Sequence, residues 1–445
     1  MVLTLGVLQL ATLLTRSPRA GAIAAVVYVL NSQFLFFNSQ YSYQTLALPL
    51  AVLAVYLLHS RTRGSRTSLL LPLAAVVGVV VTHHVTSLLL FAAFAVWLVV
   101  ELALSRRGRR PDRTAVLAAT VTAGLATAVA ALNPGNPVGS YLNSIVASSA
   151  GQAGALLGGA GAKPVFSNSA GIGPQPYERV LLLAAVVLVL VSLVGALRFV
   201  RTSWRAGAAL GVVLALLALV YPVIPGGHLT LATAEVGDRA AGFVFLGTGV
   251  VMGAWLWRHL VSWRVAAVVS VLATTTFLGN VVLGSGPTEQ QLPGPYLISA
   301  DSRSVDAANV SVAQWLAANV PAGTRVYGDR VSGGLAAATG RQFNVMNVST
   351  GIDASRLILD PEFGQADVDL ITAARIQYVI VDLRLSTGLP NEDVYIENGE
   401  FGGQDRTSPV KVAALTKFNS VPGVDRVYDN GSLHVFDVRN LREHG

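Results

Sequence analysis

The chain has no cysteine, and its first 100 residues contain no aspartate or glutamate. The first absence removes a disulfide scaffold and any thiolate chemistry. Charged residues make up only 12% of the 445, about half the usual share of a soluble protein. Disorder and nucleic-acid binding are therefore excluded as whole-chain readings. What is abundant is apolar: 53% of the residues. The reading left is an integral membrane protein with a soluble part attached. The charges divide to match. Residues 1–284 hold 18 Arg/Lys against 5 Asp/Glu, and residues 285–445 hold 13 against 19. A net +13 on the apolar part is a statement about membrane topology, not about affinity for nucleic acid.

Apolar stretches run at about 3–15, 20–37, 45–60, 69–82, 87–104, 114–132, 179–198, 206–223, 241–257 and 265–284. A helix crossing ~30 Å of hydrocarbon needs roughly 20 residues, and 3–15, 69–82 and 87–104 fall short of that. Alternate loops carry most of the positive residues, among them Arg61, Arg63, Arg66, Arg106, Arg107, Arg109 and Arg110, whereas the others hold only Lys163, Arg179 and Arg239. Positive loops stay inside. The expected fold is thus a polytopic α-helical membrane domain (1–284, about ten transmembrane helices), a linker (285–300) and a small extracytoplasmic α/β domain (301–445), in the plasma membrane. Both flanks of 69–104 are basic, so this segment must go out and return. Its polar break, Thr82-His83-His84-Val85-Thr86-Ser87, is expected at the outer tip of a hairpin of two short helices. The start of the chain reads as though it lies in the middle of a larger membrane domain.

Three polar loops face outward. In the first, Gln40, Tyr41 and Tyr43 suit either a substrate rim or an aromatic belt at the headgroups. The second, about 133–178, is rich in Gly, Ser, Asn and Pro and ends near Glu178. The third holds His228, Glu235, Asp238 and Arg239. An arginine presents a planar fork of donors that fits phosphate, so Arg239 is a candidate for binding a lipid-linked phosphate. The alternative is an Asp238–Arg239 cluster capping the next helix. His83 and His84 either donate to the same phosphate or cap helix ends. Adjacent residues face different directions on a helix, so they are no metal pair. No recognised ligand spacing exists. A divalent ion held by a histidine, Glu235 and Asp238 is the one cofactor this loop chemistry admits, and no metal ligand is assigned. Only Glu178, Glu235 and Asp238 are outward acids able to serve as a general base. The spans hold essentially no ionisable groups, which weighs against an ion-coupled transporter.

In the tail, helices are expected over Val305–Val320, Ser332–Gly340 and Asp367–Arg375. Strands are expected over Thr324–Gly328, Gln342–Val348 and Gln377–Asp382, followed by a hairpin turning at Asn430-Gly431. Asp329 and Asp382 fall at strand ends, where sites often form. No phosphate loop, dinucleotide fingerprint or nucleophile elbow is present.

Several stretches carry a resemblance. They are Leu30-Asn31-Ser32-Gln33-Phe34 running into Tyr43-Gln44-Thr45-Leu46, then Thr82-His83-His84-Val85-Thr86-Ser87, Glu235-Val236-Gly237-Asp238-Arg239, Trp315 with Asp329-Arg330, and Tyr428-Asp429-Asn430-Gly431. Together they resemble the GT-C class of membrane glycosyltransferases, in particular actinobacterial members related to protein O-mannosyltransferases and aminoarabinose transferases. The resemblance implies a polyprenyl-phosphate-linked sugar as donor, a glycan or protein acceptor, and transfer at the outer face of the bilayer. It also implies a cationic group on the leaving phosphate, a place that Arg239 suits. The class carries its acidic base near the start, before the region matched here, and no residue of this chain takes that role from the resemblance. The rival expectations are a non-catalytic envelope scaffold and a lipid-linked glycan flippase.

Overall fold

The computed structural model describes residues 2–39, 42–62, 68–105, 113–133, 173–226, 231–260, 262–285, 290–392, 394–397 and 408–442. They form two compact units, divided near Thr288.

The first unit is helical. Its main elements are α1 (Val2–Thr15), α2 (Pro18–Val29), α3 (Phe34–Ser39), α4 (Tyr43–Thr62), α5 (Leu70–Thr82), α6 (His84–Ser105), α7 (Arg113–Leu132), α8 (Pro176–Ala206), α9 (Ala209–Val220), α10 (Leu231–Leu256) and α11 (Trp263–Val282). Among the described residues six helices are long and apolar enough to cross a membrane: α4, α6, α7, α8, α10 from Val236, and α11. The apolar helices α1, α2, α5 and α9 have only 12–14 residues. At 1.5 Å per residue they reach about 20 Å, less than the hydrocarbon thickness. The expectation of about ten spans therefore meets six helices of sufficient length and four short ones.

Local sequence explains several boundaries. Ser17 accepts the Ala20 N–H and Pro18 occupies the first helical position, so α2 starts after a break of two residues, Arg16 and Ser17. The expected run 20–37 breaks at Asn31–Gln33, where Asn31 Oδ1 takes the Gln33 N–H in place of a helical bond. The hairpin at 69–104 breaks at a single extended residue, His83, and its second arm, α6, is a full 22 residues rather than short.

Helix α10 is the centre of the bundle. Its apolar window is 83% buried, against 22% for α8 and for α11. It packs on α1, α2, α6, α8 and α9, while α11 packs on α8. The α8 and α11 faces carry exposed Leu183, Val187, Val191, Val268 and Val271, a surface suited to acyl chains.

The second unit contains α12 (Ala307–Asn319), β1 (Arg325–Tyr327), α13 (Arg330–Gly340), β2 (Phe343–Asn344), α14 (Gln365–Ala374), β3 (Tyr378–Asp382), β4 (Asp425–Asp429) and β5 (Leu433–Asp437). The sheet order is β2-β1-β3-β5-β4. β1 is parallel to β2 and β3, whereas β5 is antiparallel to β3 and β4. Expected strand 342–348 is only two residues long. Met346 O accepts both the Ser349 and Thr350 hydroxyls, which starts the short helix Asn347–Thr350 instead. Part of the expected linker belongs to this unit, with Ile298, Ser299 and Ala300 buried.

A buried ion pair ties several segments of this unit together. Lys417 Nζ donates to the carbonyls of Arg356 (3.1 Å) and Asp360 (3.0 Å) and lies 3.8 Å from the buried Asp367 carboxylate. Asp367 also accepts the Gly364 N–H and Arg356 Nε. Burial lowers the Lys417 pKa, and Asp367 opposes that shift. Lys417→Ala should leave the carboxylate and two carbonyls short of donors and destabilise this unit by about 3 kcal/mol. Amide exchange at Ile371–Ala374 measures the loss.

Candidate functional site

The polar residues of the first unit gather where α2, α5, α9 and α11 end and α4, α6 and α10 begin. Asp238 and Arg239 lie inside α10, whose start at Leu231 precedes the expected 241 by ten residues. Leu231-Ala232-Thr233-Ala234 offers no residue that stops a helix, so the helix extends through the charges. Gly237 lets the preceding segment pass close to this turn: a Cβ there would sit 3.2 Å from the carbonyl oxygen of Ile224.

Two glutamines hold this charged pair. The Gln33 Nε2 donates to Asp238 Oδ1. Its Oε1 accepts from the Ser285 N–H (3.2 Å) and hydroxyl (2.6 Å). In the first turn of α4, Gln44 Nε2 donates to the Arg239 carbonyl at 2.7 Å. Both glutamines are buried. The connector before α3 is anchored in turn. Asn280 Nδ2 of α11 donates to Leu30 O at 2.6 Å, and the Tyr28 hydroxyl donates to Gly242 O at 3.0 Å.

His83 caps α6. Its Nδ1 accepts the Thr86 N–H (3.3 Å) and lies 2.8 Å from the Thr86 hydroxyl. Burial, then His84 and Arg239, push its pKa down to about 4. The ring is therefore neutral at pH 7. With Nδ1 accepting, Nε2 carries the proton and is a donor. The repulsion from Arg239 places His83 within its electrostatic reach, and the His83 and His84 rings lie 5.3 Å apart. Arg239, Asp238, His83 and His84 thus share one end of the bundle.

The other expected residues fall elsewhere or outside the described region. Glu178 is buried in the first turn of α8, where its carboxylate takes the Gln175 N–H at 2.6 Å in a capping box. Tyr43 is 77% exposed at the start of α4. Gln40, Tyr41 and His228 lie outside the described residues, as does the side chain of Glu235. No group of three potential metal ligands occurs among the described residues. Gln33 and Asn280 were not read from sequence as site residues, and Gln44 was read only as part of the first outward loop. Their signal is an amide within or beside an otherwise apolar run.

The second unit has its own acidic cluster, at the adjacent ends of parallel β1 and β3. Asp329 caps α13, with Oδ1 accepting from Val331 N (3.0 Å) and Ser332 N (3.2 Å). Asp382 receives the Arg384 guanidinium at 2.7–3.1 Å and the Tyr296 hydroxyl at 3.3 Å. Arg384 also reaches Asp306 (2.6 Å) and Asn309 (2.7 Å). Each bond ends on a protein group, and the arrangement fastens residues 296–309 to the sheet.

No family model and no curated protein sequence matches the chain. Among solved structures it is similar to the Archaeoglobus fulgidus oligosaccharyltransferase in the apo form. The identity is 14% over 86% of this chain and 57% of that one, with a TM-score of 0.45. For the oligosaccharyltransferase AglB of the same organism, in complex with an inhibitory peptide and a dolichol-phosphate, the values are 13%, 86%, 57% and 0.44. For the arabinofuranosyltransferase AftD from Mycobacteria they are 14%, 98%, 34% and 0.41. The chain spans little more than half the length of the first two and a third of the last.

Proposed function

We propose that the protein is a membrane glycosyltransferase-like protein. It takes a sugar from a polyprenyl-phosphate donor and passes it to a cell-envelope glycan or protein acceptor at the outer face of the plasma membrane, with the C-terminal unit on that same side. The observation that carries this reading is the gathering of Arg239, Asp238 and a neutral, proton-donating His83 at one end of a bundle that is otherwise apolar. An arginine fork and an imidazole N–H are donors suited to a phosphate whose charge grows as its bond to the sugar breaks. The exposed leucine and valine faces suit the polyprenyl chain and the bilayer. The distribution of Arg and Lys among the loops favours this end as the outer one.

In the transfer, the bond from the anomeric carbon to phosphate oxygen breaks and a bond to the acceptor oxygen forms. The acceptor proton passes to a base. A non-catalytic scaffold is the second reading, and one observation favours it: the Glu178 and Asp238 carboxylates both accept hydrogen bonds from protein groups.

The test is sugar transfer by the intact protein in lipid nanodiscs supplied with a mixture of polyprenyl-phosphate sugars. Turnover is expected, and Arg239→Ala should lower it by about 100-fold, the scale for removing one charge-stabilising donor. A parent protein that binds the donor without transferring sugar would move the scaffold to the front. One that neither binds nor transfers would refute both.

A further inference from the structure

We infer that Gln33 is a positioning residue for the Asp238–Arg239 site: its amide sets the rotation of α10 about its own axis and so decides where the Arg239 side chain emerges. The inference deepens the proposed function and rests on it for the identity of the ligand, a lipid-linked phosphate.

Neighbouring residues on a helix leave it about 100° apart, so fixing one side chain fixes the direction of the next. Gln33 grips the side chain of residue 238, and Gln44 grips the carbonyl of residue 239. The two contacts come from different elements, the connector before α3 and the first turn of α4. Together they leave α10 no freedom to turn at this point. Gln33 is itself held at several atoms. Its Oε1 takes two bonds from Ser285, its backbone N–H is taken by Asn31, and the connector carbonyl of Leu30 is held by Asn280 of α11.

The choice of residue also points to positioning rather than filling. Burying an amide in an apolar bundle is costly unless its polar atoms are satisfied, and a leucine would fill the same space at no such cost. A neutral donor against Asp238 adds no further anion beside Arg239. A cation there would compete with Arg239 for the phosphate, and a second carboxylate would repel both Asp238 and the phosphate.

The bonds in use are of two kinds, a donation to Asp238 and an acceptance from the Ser285 N–H and hydroxyl. A protonated glutamic acid supplies the same two from nearly the same shape, whereas its carboxylate supplies no donation. Gln33→Glu is therefore a switch that a packing role would not notice. Undecaprenyl phosphate binding to the intact protein in nanodiscs is measured from pH 5 to 8 for the parent, Gln33→Glu and Gln33→Leu. Gln33→Glu should match the parent at pH 5 and bind at least about tenfold more weakly at pH 8. Gln33→Leu should bind at least about tenfold more weakly throughout, since a hydrogen bond to a charged group is lost.

Parent-like binding at every pH by Gln33→Glu, or parent-like binding by Gln33→Leu, would overturn the inference. Should Gln33→Leu fail to fold, the near-isosteric glutamate carries the test alone. If the parent binds no undecaprenyl phosphate, the proposed function fails instead, and Gln33 is judged by carbodiimide labelling of Asp238. Faster labelling in Gln33→Leu upholds the positioning role, and unchanged labelling overturns it.

Discussion

Raising the pH from 4 to 8 should loosen the C-terminal unit, and Asp329→Asn should remove most of that response. Asp329 is 4% exposed and Asp382 1% exposed, at neighbouring ends of two parallel strands. Asp329 Oδ2 has no hydrogen-bond partner among the described residues. Burial, followed by the charge of Asp382, pushes the Asp329 pKa up to about 6; hydrogen bonds from Ser332 and Val331 oppose the shift. Arg384, held by Asp382 and Asp306, and the neutral Tyr296 hydroxyl complete the surroundings. The sign follows from the protons bound. The folded state holds the Asp329 proton more tightly than the unfolded chain, whose value is near 4. The stabilisation is fully present below pH 4 and is lost as pH rises through about 6.

Asparagine has the same shape and remains a good N-cap, but it has no charge to bury. Amide exchange at Val379–Val381 in the intact protein, corrected for the intrinsic pH dependence, gives the opening free energy at each pH. Asp329→Asn should be the more stable of the two at pH 8 and lose the advantage at pH 4. Parallel profiles for parent and variant would show that Asp329 is not the titrating group.

The parts of the fold that were legible in the sequence are those fixed by local chemistry. Thr82–Ser87 is polar in a 36-residue apolar stretch flanked by basic loops, and the helices break there at His83. In the C-terminal unit, the helix expected over Asp367–Arg375 and the strand expected over Gln377–Asp382 are met by α14 and β3. Asn430-Gly431 turns the hairpin, with Gly431 at φ +87°. What was hidden depends on partners far along the chain. Leu-Ala-Thr-Ala before Glu235 carries no sign that α10 is the most buried helix, so the helix was expected to start after Arg239. Gln33 reads as one polar residue of a connector, because its partners Asp238 and Ser285 lie 205 and 252 residues away. Hydropathy likewise does not separate a short buried helix such as α9 from a span, since both are continuous apolar runs.

The glycines of the bundle make the strongest prediction about the first unit. Gly247→Ala should lower its thermal stability sharply, whereas Gly195→Ala should leave it unchanged or slightly raised. Both positions are helical, so alanine is intrinsically favoured at each by about 1 kcal/mol. The surroundings decide the sign. A Cβ at Gly247 of α10 would lie 2.2 Å from the carbonyl oxygen of Leu214 and 2.6 Å from the amide nitrogen of Ala218, both on α9. These are backbone atoms, so no rotamer change relieves the clash and the helices must separate.

Gly279 of α11 is the same case, with a Cβ 2.1 Å from the Leu181 carbonyl of α8. At Gly195 of α8 the nearest atom is the sulfur of Met252 at 3.8 Å, an ordinary contact with a flexible side chain. Helices in lipid gain little from hiding apolar surface, because the acyl chains are equally apolar, and association rests on close packing through small residues. Moving α9 off α10 therefore loses contacts that nothing replaces, a cost of about 3 kcal/mol or more. Because α10 also carries Asp238 and Arg239, Gly247→Ala should disturb the site as well as the bundle. Thermal unfolding in a fixed lipid composition compares the two variants directly, and equal midpoints would mean that α9 and α10 do not meet as closely as these glycines allow.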